Sequence, residues 1–215
     1  MAFRVTNVHT LSHITNNATV LSQLSNVSAT PGIDVLISSP SGNVFPGFVA
    51  SQFQNPEVTF DTTQIKTVLD LTGVTMVDLT ANDSILYFEK STNMGVRATG
   101  NTHTTLTMAN TALICNQISA GHRTQAVASC RLLNVYDGVA APVVPSGSGT
   151  MPVAGTKTDA EHYLFGGISI NGTLLVDGAQ DVSINFGQGL FEVGADGQNY
   201  TSFFGINTVQ PVITI

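Results

Sequence analysis

QAVASCRLLNVY, residues 125–136, is the longest alternating stretch in the chain. Val127, Leu133 and Val135 fall on one face of an extended strand, and Ala126, Ala128, Cys130 and Leu132 on the other. Both faces are largely apolar, so the strand needs cover on both sides, from a second sheet or from a neighbouring subunit. Outward from it, short runs rich in Val, Ile, Thr and Phe recur every ~8 to 12 residues between Gly, Pro, Asn and Ser, the spacing of an all-β sandwich or barrel. Strands are predicted at 5–11, 34–38, 48–52, 57–60, 85–89, 95–99, 104–108, 112–117, 125–136, 163–170, 173–176, 182–186 and 210–215.

One segment departs from this period. Asp61-Thr62-Thr63 supplies a polar N-cap, Ile65, Val68 and Leu69 an apolar stripe, and Gly73 a stop. A single short helix is predicted at about 63–71. Lys66 and Asp70, four apart, would form an ion pair on its outer face.

The chain of 215 residues is long enough for one sizeable core. Only 10% of its residues are charged, against about 25% in ordinary soluble domains. Its mean hydropathy is +0.22. A coat of Thr, Ser, Asn, Gln and Gly resists association less well than Lys and Glu do, which points to a surface packed against copies of itself. Seven basic against fourteen acidic residues give a net charge of −7. The basic residues are scattered singly, so nucleic-acid binding by counterion release is not expected. The N-terminus has no signal-like apolar region, and no run is long enough to span a membrane. Folding in a cytoplasm is the expectation.

Cys115 and Cys130 lie in two apolar stretches that can pair as neighbouring strands. A disulfide is geometrically conceivable, but two buried core thiols are the favoured reading. His9 and His13 would share a strand face as a partly exposed pair, with no further ligand at metal spacing. His103, His122 and His162 stand alone, and Asp159 and Glu161 are the one close carboxylate pair. No nucleophile elbow, calcium loop or dinucleotide fingerprint is present. Sequons at Asn17, Asn26, Asn82, Asn171 and Asn199 come without an export signal. The expectation is therefore a non-enzyme with no catalytic, cofactor-binding or metal-binding residues.

The segment 138–158, GVAAPVVPSGSGTMPVAGTKT, has the composition of a long exposed loop that could reach a neighbouring subunit. Residues 1–215 are expected to form one domain. An internal duplication is suggested between about 33–90 and 163–215, where PEVTF at 56–60 compares with QDVSI at 180–184. The terminal strand, TVQPVITI at 208–215, is suited either to pairing in its own sheet or to addition to another chain.

FGGISING at 165–172, QDVSINFG at 180–187 and NVYDG at 134–138 resemble virion structural proteins of tailed bacteriophages, most nearly tail tube proteins. The resemblance implies a β-sandwich or barrel that self-assembles into rings, typically hexameric, stacked into a tube beside other virion proteins, after assembly in the host cytoplasm. It implies no catalytic residue. DNA would pass without specific binding, and an acidic wall would discourage its sticking. The same features leave open a capsid or capsid-decorating shell protein and a non-viral filament subunit. A carbohydrate-binding or lytic virion module is a further alternative, which the lack of Trp disfavours.

Overall fold

The computed structural model describes residues 7–39, 41–42, 44–92, 95–100, 102–139, 141–151, 163–176, 181–194, 197 and 199–215. It is mostly β with one short helix, as the sequence predicts. The strands are β1 (Asn7–Asn16), β2 (Thr19–Leu21), β3 (Leu24–Thr30), β4 (Ile33–Ser38), β5 (Phe48–Gln54), β6 (Glu57–Thr62), β7 (Val77–Thr92), β8 (His103–Gly121) and β9 (Val127–Asn134). They continue with β10 (Val143–Gly149), β11 (Ile168–Ile170), β12 (Thr173–Val176), β13 (Asp181–Asn185), β14 (Gln188–Gly194), β15 (Thr201–Val209) and β16 (Val212–Thr214), and the helix α1 is Ile65–Thr72.

Ten strands form one antiparallel sheet whose main path runs β2-β1-β7-β8-β9-β6-β3. The 19-residue β8 is its hub. One edge pairs first with β7 and then with β13; the other pairs with β10 and then with β9. The two ends of the path, β2 and β3, are joined through Ser22 and Gln23 alone. Six flat interstrand steps of about 4.8 Å would set those ends about 29 Å apart. The link spans at most about 11 Å. The sheet therefore curls until its ends meet.

Inside the curl lie Ile14, Leu21, Phe60, Leu86, Leu113 and Leu132, with Ile65 and Val68 of α1 packed among them. Lys66 and Asp70 form the predicted outward ion pair, and both are exposed. Gly73 ends the helix at φ 60°, its N–H donating to the Leu69 carbonyl. The N-terminus differs from expectation. Gln64 takes the N-cap position without a side-chain cap, and Thr62 Oγ1 accepts the Gln64 N–H at 3.2 Å. A second apolar layer forms where Phe204 of β15 and partly buried Leu190 and Ile206 cover Ile114 and Leu133. Both faces of β9 are thus covered within one chain: Ala128, Cys130 and Leu132 face the inner core, and Leu133 faces β14–β15.

Several boundaries move. The predicted strands 104–108 and 112–117 are one strand, β8, passing through Asn110 at φ 49°. Residues 95–99 hold only a bridge between Ser91 and Arg97. The predicted loop 138–158 contains β10, which pairs with β8 from Val143 to Gly149; residues 152–158 lie outside the described residues. The terminal strand β16 pairs within its own chain, with β13. In the suggested duplication, β6 lies between β3 and β9, whereas β13 lies between β16 and β8.

Candidate functional site

Two hairpins leave the sheet through the same kind of joint. In the first, β3 ends before Gly32, the hairpin β4–β5 follows, and Asn55-Pro56 leads into β6, which pairs back with β3. In the second, β13 ends before Gly187, β14–β15 follows, and Gln210-Pro211 leads into β16, which pairs back with β13. Gly32 sits at φ 54° and Gly187 at φ 56°. The Asn55 N–H donates to the Gly32 carbonyl at 3.0 Å, and the Gln210 N–H to the Gly187 carbonyl at 3.1 Å.

Glycine is required at both joints. A Cβ would lie 2.0 Å from the Asn55 carbonyl oxygen at position 32 and 2.1 Å from the Gln210 carbonyl oxygen at position 187. The proline after each amide residue has no N–H to extend the ladder and keeps the preceding residue extended. Each hairpin is thereby closed at its root and forms a ladder separate from that of the strands that carry it.

The two hairpins have different surroundings. β14–β15 lies against the sheet, with Phe204 buried and Phe191 and Phe203 outward, their rings 5.7 Å apart. β4–β5 projects. Every residue of β4 is exposed, although Ile33, Val35 and Ile37 alternate with Leu36 so that both faces are apolar. Ile37 pairs with Val49, and they are 59% and 62% exposed. At the tip Val44 is 91% and Phe45 80% exposed. Asp34 is the single charged residue in 33–54. A two-stranded hairpin is marginal in water on its own, and apolar side chains on both of its faces call for a covering surface.

The root of this arm is held in place. The Gln54 N–H donates to the Asn199 carbonyl at 2.6 Å, the Asn199 side chain donates to the Ser51 carbonyl at 3.2 Å, and the Asn55 side chain donates to Glu192. Beside the root lies a cleft of about 290 Å³ whose walls include Pro31, Pro56, Leu106, Pro142 and Tyr200. Glu57 on its wall is paired with Arg131 at 3.5 Å. The cleft is mainly apolar.

Among the described residues, the polar residues singled out in the sequence do not converge on a reaction centre. His13 is buried and stacks on Tyr87 with ring centres 4.4 Å apart, whereas His9 is exposed and lies 3.4 Å from the Thr104 hydroxyl. The pair expected to be partly exposed is split by the irregular register between Leu11 and His13. His103 is buried and accepts the Lys90 N–H at 3.0 Å. Asp61 accepts from Ser129 at 2.5 Å and from Asn26 at 2.7 Å. Asp159, Glu161 and His162 lie outside the described residues. Among the described residues no group of three His, Cys, Asp or Glu side chains could hold a metal ion.

Sequence reasoning missed the joints and the arm as a unit. Their available signals were the near absence of charge from 33 to 54 and the pairing of Gly32 with Asn55-Pro56, repeated as Gly187 with Gln210-Pro211. No protein-family model matches the chain, and no curated protein matches it in sequence.

Proposed function

We propose that this protein is a self-associating structural subunit, and that its role is that of the bacteriophage tail tube its sequence resembles: rings of copies stacked into a conduit for DNA. The observation that carries this reading is the β4–β5 arm, with apolar side chains on both faces and at an exposed tip. Each copy carries a net charge of −7, so two copies repel on average. The nearly uncharged arm is a segment that meets a sister molecule without that penalty. The cleft beside its root offers an apolar receptor.

The arm cannot fill the cleft of its own chain. Gln54, on the cleft wall, is paired with Ile33 at the root, and the ladder runs six residues along β4 before the tip. At about 3.3 Å per residue the tip stands some 20 Å from its own root. Tip and cleft are also different patches, so a contact between them is head to tail, the kind that closes into rings or continues into filaments.

Negative-stain microscopy of the purified chain at high concentration tests the proposal. Rings or tubes of uniform diameter are expected. Dispersed single particles across the accessible concentration range, or closed icosahedral shells, would overturn the tube reading.

A further inference from the structure

Cys115 and Cys130 are direct partners across β8 and β9, and both are free thiols. They share the inner core face and are 0% and 2% exposed. The phase of the ladder determines how near they come. The Cys115 N–H donates to the Met76 carbonyl at 2.9 Å, and the Cys115 carbonyl accepts from the Gln188 side chain at 3.1 Å. Both backbone groups point away from β9. Cys115 and Cys130 therefore hold a non-hydrogen-bonded position of the antiparallel ladder, the last regular step before the register shifts between Cys115 and Gln117. Such pairs are the closer of the two kinds, with Cα atoms about 4.5 Å apart in a regular ladder. That separation lies within the disulfide range of about 4.4 to 6.8 Å.

We infer that Cys115 and Cys130 are a built-in site of oxidative modification, which a low-molecular-weight disulfide converts into a cross-strand bridge locking the hub strand β8 to β9. The inference stands on strand register alone and does not depend on the assembly reading. One thiolate attacks a sulfur of the small disulfide, whose S–S bond breaks and releases one thiolate. The second cysteine loses its proton and attacks the protein sulfur of the mixed disulfide, releasing the other. Two protein thiols are oxidised, one small disulfide is reduced to two thiols, and both protons go to the leaving groups. The hydrogen bond between the two thiols holds Cys115 below and Cys130 above the usual thiol range, so Cys115 is the first attacker. Once Cys115 is in the mixed disulfide, that bond no longer opposes ionisation of Cys130.

Both sulfurs are shielded from solvent, so equilibrium rather than rate is the test. The full chain is brought to equilibrium with oxidised and reduced glutathione from two directions, starting from folded reduced protein and from oxidised chain refolded out of denaturant. Acid quenching, alkylation and mass spectrometry then count bridged, mixed and free forms. The bridge closes a loop of about 15 residues, so the folded chain is expected to favour it about 100-fold more than the same chain held unfolded in guanidinium. Cys115→Ala and Cys130→Ala variants should give no bridge within the chain, only free thiol or mixed disulfide. Equal or weaker bridging in the folded chain, convergence on free thiols from both directions, or two glutathione adducts in place of the bridge would overturn the inference.

Discussion

Gln64 Oε1 accepts the backbone N–H of Ser22 at 2.7 Å, and the same oxygen lies 3.3 Å from the N–H of Gln23. Ser22 and Gln23 are the link at which the two ends of the curled sheet meet. The buried residue that begins the helix therefore also closes the seam. Without it, two peptide donors beside the core lose their acceptor. Gln64→Ala is expected to lower unfolding stability by about 1 to 3 kcal/mol, read from urea denaturation, and to increase hydrogen exchange at Ser22. An unchanged denaturation midpoint would show that the seam closes without this bond.

The two glycine joints make a graded prediction. At Gly32 and Gly187 a side chain meets both a left-handed backbone and a carbonyl oxygen about 2 Å away. At Gly42, in the arm's tip loop, φ is 92° and a Cβ would meet nothing within 4 Å. Gly32→Ala and Gly187→Ala should each cost more than the ~1 to 2 kcal/mol of backbone strain alone, and Gly42→Ala no more than that. Chemical denaturation of the three variants checks the order.

The inner core should respond to loss of volume as a close-packed interior does. Leu132 is 0% exposed on the covered face of β9. Leu132→Ala is expected to cost about 2 to 5 kcal/mol. Ile213→Ala, on the exposed strand β16, should stay within about 0.5 kcal/mol in the isolated chain. Thermal melts of both variants provide the comparison.

Much of the fold was legible because its signals were local. Alternation across 125–136 marked β9 and its two covered faces, and Ile65, Val68 and Gly73 marked the helix. The neighbouring positions of Cys115 and Cys130 followed from two apolar stretches. What escaped had its cause elsewhere in the chain. β10 reads as linker because Pro145, Gly147 and Gly149 lack strand propensity, yet partners on β8 hold it extended. Gly189 and Gly205 break the pattern of β14–β15 for a steric reason. A Cβ at Gly205 would lie 2.8 Å from the Phe191 ring, and one at Gly189 would lie 2.2 Å from the Thr208 hydroxyl. The candidate surface was legible only as composition. Low charge underlies the proposal of contact with other copies, but the joint that roots the arm depends on a pairing across 23 residues between Gly32 and Asn55, as that of β14–β15 does between Gly187 and Gln210.

The arm's apolar surface should be dispensable for folding and necessary for association. Phe45 and Val49 are largely exposed in the single chain, so Phe45→Asp and Val49→Asp should leave the thermal midpoint within the range of an ordinary surface change, about 0.5 kcal/mol. The same variants bring a carboxylate to a surface that must lose water when covered. Circular dichroism checks the first half of this expectation.

Sedimentation velocity of the wild-type chain and of Phe45→Asp, over the same concentration series, tests most directly whether the arm is covered by a sister molecule. Wild-type protein should shift to large, discrete species as concentration rises, while the folded variant stays at the monomer value. A wild-type chain that sediments as a monomer throughout, or a variant that assembles as fully as the parent, would contradict the account.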